Sequence, residues 1–499
     1  MSSSKHQQAS IDHVLKYTGI FGGVQGLNIL LSVVRNKFAT HLLGPAGIGL
    51  MGIYLAISEF VSSVSNLGIP FSSVRRLSEL FESDDPAAIN EFVRVIRTWS
   101  LWTALLAGFF CIVCSPILCL VFFDGNMSSW WQAALVAPMA MAASVMGGEI
   151  SILKGLRHLK RVAVISLLSA IVLLCITIPI FWALRTRGIL LALDITAVAT
   201  LCVYLAYTLP IFPWRVSLFS RNIFTEGWEM VRIGIPYVLA AIAGSTTAMA
   251  VPALLLYYGS LDDVGFYRAA YTLMVGYAGI VFTALEADYF PRLSSANNDR
   301  IRRNEIINQQ IQVCVALIGP FMIALAVFMP IALSILFASE FGIIERMTLA
   351  AVFYTFFRAI SVPISYMALA HGDSGWYLTM EVIYDAVSLC LIVGCYYLWG
   401  LFGAGVGLSA SALFDLILIS TCYFWRYHIR FESHTLIIIA VQTILVACAV
   451  AVCLLLPPII KYIVGCILLA LSLWFTFRSL GSDSVIVQKL LTRFQLKSK

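Results

Sequence analysis

The sequence predicts an all-α polytopic membrane protein with about fourteen transmembrane helices, arranged as two six-helix halves followed by two extra helices. Three observations predict this fold class. Hydrophobic residues make up 60% of the chain and charged residues only 12%, with a mean hydropathy of +0.91, whereas soluble proteins are roughly 25% charged. Apolar stretches long enough to cross a bilayer recur along the whole chain. Short motifs also recur at one nearly constant offset.

Each predicted helix is an apolar stretch of about 20 residues, the length that crosses the hydrocarbon core of a bilayer. The first sixteen residues are mostly polar, and no small-residue cleavage site follows the first apolar run, so we expect that run to be retained as a helix. The predicted spans lie near residues 18–34, 49–69, 100–123, 131–153, 162–184, 189–209, 233–257, 266–285, 313–337, 349–369, 376–398, 401–424, 436–456 and 459–477.

Motifs at helix ends indicate an internal duplication. Gly49 and Gly265 each lie 27 residues before the arginine of an Arg-Leu-Ser tripeptide, which gives an offset of 216 residues between the copies. Repeats of this kind are common in transporters. The matching segments are GPAGIGL at 44–50 with GSLDDVGF at 259–266, and Arg-Leu-Ser at 76–78 and at 292–294.

Two more glycine pairs extend the duplication. Gly155 lies 217 residues before Gly372, and Gly188 lies 217 residues before Gly405. Spans one to six and seven to twelve are therefore predicted to be paired halves. The predicted bounds are 1–215 for the N-terminal half, 216–430 for the C-terminal half, and 431–499 for two extra helices and a basic cytoplasmic tail.

The distribution of basic residues predicts the orientation in the membrane. Lysine and arginine concentrate in cytoplasmic loops. With the N-terminus inside, 24 of the 32 basic residues fall in cytoplasmic segments, seven fall outside and only Arg358 falls within a span. Both termini are therefore expected to be cytoplasmic.

Several functional classes find no support in the sequence. Cys111 and Cys114 form a CxxC in an apolar span without a second ligand pair, so we interpret them as small buried hydrophobes. The longest polar insertion before the tail, 72–97, contains a helix start at 83–86 and a short amphipathic helix at 87–97, and is too small for a catalytic domain. No Gly-rich nucleotide loop is present. We expect no enzyme activity, cofactor, metal or nucleic-acid partner.

Ionisable residues within the predicted spans are the main candidates for function. Each costs about 2.5 to 3.5 kcal/mol at the helix centre, so it marks a cavity by default. Glu381 and Asp385 are spaced i and i+4, on one helix face, where they could pair with Arg358. A structural ion pair and a role in substrate binding or coupling both remain open for these three. The set is Glu59, Glu149, Asp194, Glu286, Asp288, Arg358, Glu381, Asp385 and Asp415.

Four stretches carry a family resemblance. They are LLGPAGIGLMGIY at 42–54, LKGLRHLKRVAVISLLSAI at 153–171, VGFYRAAYTLMVGYAGIVFTALEADYFPRLS at 264–294 and FRAISVPISYMALAHGDS at 357–374. Together they resemble the Wzx-type polysaccharide flippases of the MOP superfamily, over most of the chain to about residue 424. The resemblance depends on glycine, aromatic and Pro-Arg-Leu-Ser positions rather than on catalytic residues.

This resemblance implies two six-helix halves around a central cavity. It further implies a flippase that translocates an undecaprenyl-diphosphate-linked oligosaccharide, such as an O-antigen unit of lipopolysaccharide, across the bacterial inner membrane. The expected partners are the lipid-linked substrate, membrane lipids, H⁺ or Na⁺, and a polysaccharide polymerase and ligase. We expect the protein itself to be a monomer.

A lipid diphosphate needs cations for its headgroup on the path through the membrane. Arginine suits a diphosphate because its planar fork bonds two oxygens, so the candidates for substrate binding are Arg358, Arg268 and Arg35. For the last two, near the outer span ends, interfacial anchoring remains an equal alternative. The candidates for ion coupling are Asp415, Asp385, Glu381, Glu59, Glu149 and Asp194.

Two other classes stay open. A MATE-like antiporter for small cations or drugs would share the two-half fold, but would be expected to use intramembrane carboxylates without a buried arginine. A membrane-embedded enzyme would need a polar catalytic cluster or a large outer loop, and the sequence contains neither.

Overall fold

The computed structural model describes residues 2–83, 85–122, 130–217, 220–277, 279, 289–290, 292–296 and 299–480. Every regular element in these ranges is helical. Ten helices of the described chain are long and apolar enough to cross a membrane. The prediction of an all-α polytopic membrane protein is therefore confirmed. Residues 278 and 280–285 of the predicted span 266–285 lie outside the described ranges, as do Glu286 and Asp288.

The chain divides into two compact units, residues 1–265 with 336–338, and residues 266–335 with 339–499. The predicted boundaries at 215 and 430 stay predictions. The first unit contains α1 (Ser2–Ser65), α2 (Ile69–Glu82), α3 (Pro86–Phe122), α4 (Trp130–Ala134), α5 (Ala137–Gly155), α6 (Leu159–Leu184), α7 (Ile189–Thr208) and α8 (Arg221–Tyr258).

Helix α9 (Leu261–Tyr271) follows, and a π-helical turn continues it over Thr272–Tyr277. The second unit then contains α10 (Arg300–Val327), α11 (Met329–Leu336) apart from its last residue, α12 (Glu345–His371), α13 (Ser374–Tyr427), α14 (Ser433–Leu455) and α15 (Pro458–Leu480). Helices α12 and α13 pack against each other along much of their length. This packing positions the candidate site.

Three helical stretches are long enough to cross the membrane twice. They run over 42, 49 and 54 residues, about 60 to 80 Å at 1.5 Å per residue, against a hydrocarbon core of about 30 Å. Each is interrupted: α1 at Gly44 (φ 66°) and Pro45, α6 and α7 by the 3₁₀ turn Arg185–Gly188, and α13 at Trp399 and Gly400 (φ 61°). Glycine tolerates a positive φ and proline removes a helix hydrogen bond, which explains the breaks at Gly44 and Gly400.

The glycines of the duplicated motif contact one another. A Cβ added to Gly49 would clash with the carbonyl oxygen of Leu261, and one added to Gly265 would clash with that of Pro45. The two backbones approach so closely that neither position accepts a side chain. This explains why both copies of the motif keep glycine there, while the duplication itself stays a prediction.

A polar network fixes the last two helices to α10. Gln442 donates to Thr476 Oγ1 at 3.1 Å and accepts a hydrogen bond from Ser472 Oγ at 2.7 Å. Thr476 in turn donates to the Ala316 carbonyl at 3.0 Å. Lipid tails are as apolar as leucine, so burial of apolar side chains does not drive helices together in a membrane. Interhelical hydrogen bonds such as these stabilise helix association instead.

One local prediction needs correction. The segment 87–97 was expected to be a short helix in a loop, but it forms the first turns of α3, which continues to Phe122. The predicted helix start is confirmed, because the Asp85 carboxylate accepts from Ala87 N and Ala88 N at 3.0 and 3.1 Å. The continuous helix places Arg97 in the packed interior of the first unit.

Candidate functional site

Arg358 and Asp415 form an ion pair between α12 and α13. Arg358 Nη1 lies 2.7 Å from Asp415 Oδ2, and the two side chains are 23% and 2% exposed. Ser361 Oγ donates to the same carboxylate oxygen at 2.6 Å. Ser361 follows Arg358 by three residues and therefore lies on the same helix face. The buried carboxylate is thus held by a cation and a hydroxyl from one helix.

Tyrosines surround the guanidinium. The Cζ atom of Arg358 lies 5.3 Å from the centre of the Tyr384 ring, within the range of a cation–π contact. Tyr384 is also hydrogen-bonded to Tyr354, which precedes Arg358 by one helical turn. The guanidinium is therefore stabilised by an aromatic face as well as by a carboxylate.

Glu381 and Asp385 complete the cluster. Glu381 is hydrogen-bonded to Tyr377, and both carboxyl groups are close enough to Arg358 and Asp415 to interact electrostatically. We use "the Arg358 cluster" for Arg358, Ser361, Glu381, Tyr384, Asp385 and Asp415. It combines one guanidinium with three carboxyl groups, so its formal charge is negative when all of them are ionised.

The hydrogen-bonded partner of Arg358 is Asp415. Glu381 and Asp385, which the sequence offered as possible partners, lie close enough to interact with it electrostatically. The break at Trp399 and Gly400 lets the second part of α13 return along α12. Asp415 therefore faces Arg358 from a segment that helical spacing alone cannot relate to Glu381.

A second buried ion pair lies in the first unit. Arg97 Nε and Nη2 donate to the two oxygens of Glu149 at 2.7 and 3.1 Å, and the side chains are 2% and 1% exposed. Arg97 Nη1 donates to the carbonyls of Phe212 and Pro213 at 2.7 and 3.1 Å. The coupling role predicted for Glu149 stays a prediction, and this geometry favours a structural ion pair.

Arg97 is the important residue that sequence reasoning missed. It was counted among the basic residues of a cytoplasmic segment, because Arg94 lies one turn before it and the stretch looked amphipathic. The available signal was the apolar run that follows without a break, together with Glu149 in a neighbouring span. Both arginines bind the segment after α7, since Arg94 Nη2 also donates to Ser217 Oγ.

The remaining predicted residues are described by their own surroundings. Arg35, half-buried on α1, donates to Asn36 Oδ1 at 3.0 and 3.3 Å. Glu59 is exposed on the same helix, and Asp194 on α7 is hydrogen-bonded to the Met139 backbone. Arg268 is half-buried on α9. Of the predicted residues, the structure thus brings together Arg358, Glu381, Asp385 and Asp415.

The described residues contain no group of three or more His, Cys, Asp or Glu side chains that could hold a metal ion. The Arg358 cluster offers a partly exposed arginine for an anionic group, hydroxyls and aromatic faces for polar ligands, and carboxyl groups that can bind a proton.

Solved structures of MOP-superfamily transporters share the fold. A multidrug resistance MATE family transporter of the MOP superfamily, in an inward-facing conformation, superposes with a TM-score of 0.67 at 14% identity, covering 82% of this chain and 98% of that one. The lipid II flippase MurJ, in an inward closed conformation, gives 0.66 at 13% identity, with 92% and 99% covered. A MOP superfamily transporter from Pyrococcus furiosus gives 0.54 at 13% identity, with 81% and 93% covered.

Sequence comparison adds the family. No curated protein matches the chain significantly. The family model described as polysaccharide biosynthesis protein matches residues 14–297, more than half of the chain. The resemblance seen in the sequence is thereby confirmed: with a fold shared by transporters of the MOP superfamily, the chain belongs to the polysaccharide biosynthesis protein family.

Proposed function

We propose that the protein is a flippase that translocates an undecaprenyl-diphosphate-linked oligosaccharide, such as an O-antigen repeat unit of lipopolysaccharide, across the inner membrane by alternating access. The observation that carries the proposal is the Arg358 cluster, a mostly buried arginine paired with a buried carboxylate, within a transporter fold of a polysaccharide biosynthesis family. Burial of a cation is costly unless an anion offsets it. Asp415 offsets it in this state, and the substrate's diphosphate would do so during transport.

The geometry leaves room for both anions on Arg358. Asp415 takes a hydrogen bond from Nη1, and the side chain is still 23% exposed. A guanidinium has five N–H donors in a rigid fork. Its other donors can therefore bind a phosphate oxygen while the ion pair to Asp415 persists, so the cation need not lose its protein partner before substrate arrives.

The excess of carboxyl groups supports ion coupling. One guanidinium faces Asp415, Glu381 and Asp385, so a diphosphate would be repelled if all three carboxyl groups remained ionised. Binding of H⁺ or Na⁺ at these groups would remove that repulsion. We therefore propose that Asp385 and Glu381 load the coupling ion and that Asp415 links it to Arg358.

Arg268 and Arg35 remain proposed secondary contacts for the substrate, and Glu59, Asp194 and Glu149 remain secondary candidates for coupling. The proposed location is the bacterial inner membrane with both termini in the cytoplasm. We further propose that the protein is a monomer, and that a polysaccharide polymerase and ligase consume its product.

Transport by the purified protein tests the proposal. Proteoliposomes are loaded with a fluorescent undecaprenyl-diphosphate oligosaccharide, and the fraction of glycan accessible to an enzyme added outside is followed over time. Vesicles with the protein should expose the inner pool within minutes, and protein-free vesicles should not. Equal rates in the two preparations would contradict the proposal.

A MATE-like ion-coupled antiporter of small molecules is the second candidate. Two observations favour it: the fold is shared with a MATE family transporter, and the Arg358 cluster holds three carboxyl groups. Organic cations such as ethidium decide between the two. Saturable efflux of ethidium, together with no movement of the lipid-linked glycan, would replace the flippase by the antiporter.

A further inference from the structure

A groove lies in the second unit, at the end of α13 and the start of α14. Its volume is about 470 Å³, within the range of about 300 to 1,000 Å³ typical of small-molecule sites. Most of its wall is apolar and comes from Ile364, Phe424, Ile429, Phe431 and Leu436. No residue of the Arg358 cluster lines the groove, and the proposed function does not use it.

Helix α10 holds the turn that forms one side of this groove. Asn308 Nδ2 donates to the Arg430 carbonyl at 2.9 Å, and Asn308 Oδ1 accepts from Glu432 N at 3.0 Å. Arg303 Nη2 donates to the Tyr427 carbonyl at 2.8 Å. In all three hydrogen bonds, the group contributed by the turn is a backbone carbonyl or N–H. The Arg430 side chain is therefore not required to keep the turn in place.

Arg430 is the one charged residue among those that line the described groove, and the other polar residues there carry hydroxyls. The exposed side chain of Arg430 lines it, together with Ser420 and Thr421. Ser420 Oγ is buried and has no hydrogen-bond partner within the described residues. Glu432 follows two residues later but does not line the groove. A cation and hydroxyls beside an apolar wall complement an amphiphile with an anionic head and a hydrocarbon chain.

The position along the chain indicates where that amphiphile comes from. The turn between α13 and α14 is cytoplasmic in the orientation predicted by the basic residues. The cytoplasmic leaflet carries anionic lipids, and basic pockets between helices on that side bind their headgroups. Trp425, which is exposed beside the groove, has the amphipathic ring favoured at the membrane interface.

We infer that this groove binds an anionic phospholipid of the cytoplasmic leaflet, with the phosphate on Arg430 and an acyl chain against Phe424 and Leu436. The site joins α14, one of the two C-terminal helices, to α12 and α13 of the same unit. A bound lipid would therefore fasten these helices together.

Lipid binding to the purified full-length protein tests the inference. The midpoint of thermal unfolding is measured in detergent against added phosphatidylglycerol or phosphatidylcholine. Because one basic residue near the membrane surface contributes about 1 kcal/mol, phosphatidylglycerol should bind about five-fold more tightly. Arg430→Ala should abolish this preference and Arg430→Lys should retain it. Arg302→Ala, which removes an exposed arginine that does not line the groove, should also retain it.

Two further measurements test whether the bound anion belongs to a lipid and whether the groove is the binding site. Glycerol 3-phosphate has the head chemistry without the chains and should not displace phosphatidylglycerol. Thr421→Trp should fill the groove and weaken binding of both lipids. Equal binding of the two lipids by the unmodified protein, an unchanged preference in Arg430→Ala, or full displacement by glycerol 3-phosphate would each overturn the inference.

Discussion

Arg358 and Asp415 are 57 residues apart in the chain, and their side chains meet at 2.7 Å. The carboxylate is almost fully buried, whereas 23% of the Arg358 side chain is exposed. The pair is therefore asymmetric: Asp415 has exchanged water for protein partners, and Arg358 can still reach a ligand. Loss of Asp415 should therefore affect stability, and loss of Arg358 should affect transport.

Loss of Asp415 should destabilise the protein more than loss of one partner of an exposed ion pair would. Breaking a buried ion pair costs about 3 to 5 kcal/mol, and the partial exposure of Arg358 places the expected cost near the lower limit. Asp415→Ala should lower the thermal unfolding midpoint, measured by fluorescence in detergent. Arg358→Ala combined with Asp415→Ala should cost less than the sum of the single changes, because neither charge is then left alone. Additive effects would mean that the pair contributes no coupling energy.

The Arg97–Glu149 pair should be more important for folding than for transport. Arg97 makes four hydrogen bonds in a buried site, so Arg97→Ala should cost about 3 to 5 kcal/mol and reduce the yield of folded protein. Arg97→Lys should not restore it, because an ammonium cannot reproduce the planar fork. Arg75→Ala, at an exposed i,i+4 pair with Glu79, is the matched control and should change stability by less than about 1 kcal/mol. Equal yields of all three variants would show that the pair is dispensable.

Stability should decrease in acid because of Asp373, which lies between α12 and α13. A hydrogen bond from Tyr427 holds the pKa of this carboxyl below its ordinary value of 3.8, and Arg426 adds to the effect. Since the folded-state pKa is lowered, the stabilisation is present above the ordinary pKa and is lost as pH falls through the folded-state value. As pH falls from about 5 to about 2, unfolding midpoints should fall less steeply in Asp373→Asn than in the unmodified protein. Tyr427→Phe should weaken the acid dependence, and an unchanged slope in both variants would exclude this contact as its source.

The orientation in the membrane can be tested with single reporter cysteines in a cysteine-free background. Ser260, in the exposed turn between α8 and α9, is predicted to be outside, and Ser295 is predicted to be in the cytoplasm. An impermeant thiol reagent added to intact cells should label Ser260→Cys and not Ser295→Cys. The reverse pattern would mean that the protein has the opposite orientation in the membrane. The Arg430 groove would then face the outer leaflet.

Much of the fold could be predicted from the sequence because lipid imposes a simple rule. A backbone without water must form helices, so apolar stretches directly mark them. The helix start at Asp85 was also visible, because its capping carboxylate precedes a proline. The continuity of α3 was not visible in the sequence. The polar residues at 87–97 are typical of a short helix in a loop, although the apolar face of this segment is buried.

The candidate site was predictable in part. Arg358 was found because a cation deep in an apolar span is costly. Its partner was not, because Asp415, Asp385 and Glu381 are equivalent in a linear sequence. Only the break at Gly400 and the packing of α13 on α12 decide between them. Arg97 was missed for the converse reason: its position after a basic loop gave it an ordinary explanation, and its pairing with Glu149 depends on tertiary structure.

Replacement of the carboxyl groups tests the proposed coupling. Asp385→Asn and Glu381→Gln each remove one site for a coupling ion, so glycan transport in proteoliposomes should become slower and less dependent on an imposed H⁺ or Na⁺ gradient. Val382→Ala, an exposed neighbour on α13, should leave both properties unchanged. If gradient dependence is retained in both carboxyl variants, the coupling ion binds elsewhere.

Transport by Arg358 variants tests the central claim most directly. Each variant is first shown to be folded by its unfolding midpoint and is then assayed for movement of the lipid-linked glycan in proteoliposomes. If Arg358 binds the diphosphate, Arg358→Ala should abolish transport, and Arg358→Lys should retain only part of it, because a point charge replaces the two-pronged donor. Removing Asp415 in addition should restore stability without restoring transport. Transport at the unmodified rate by a folded Arg358→Ala protein would contradict the account.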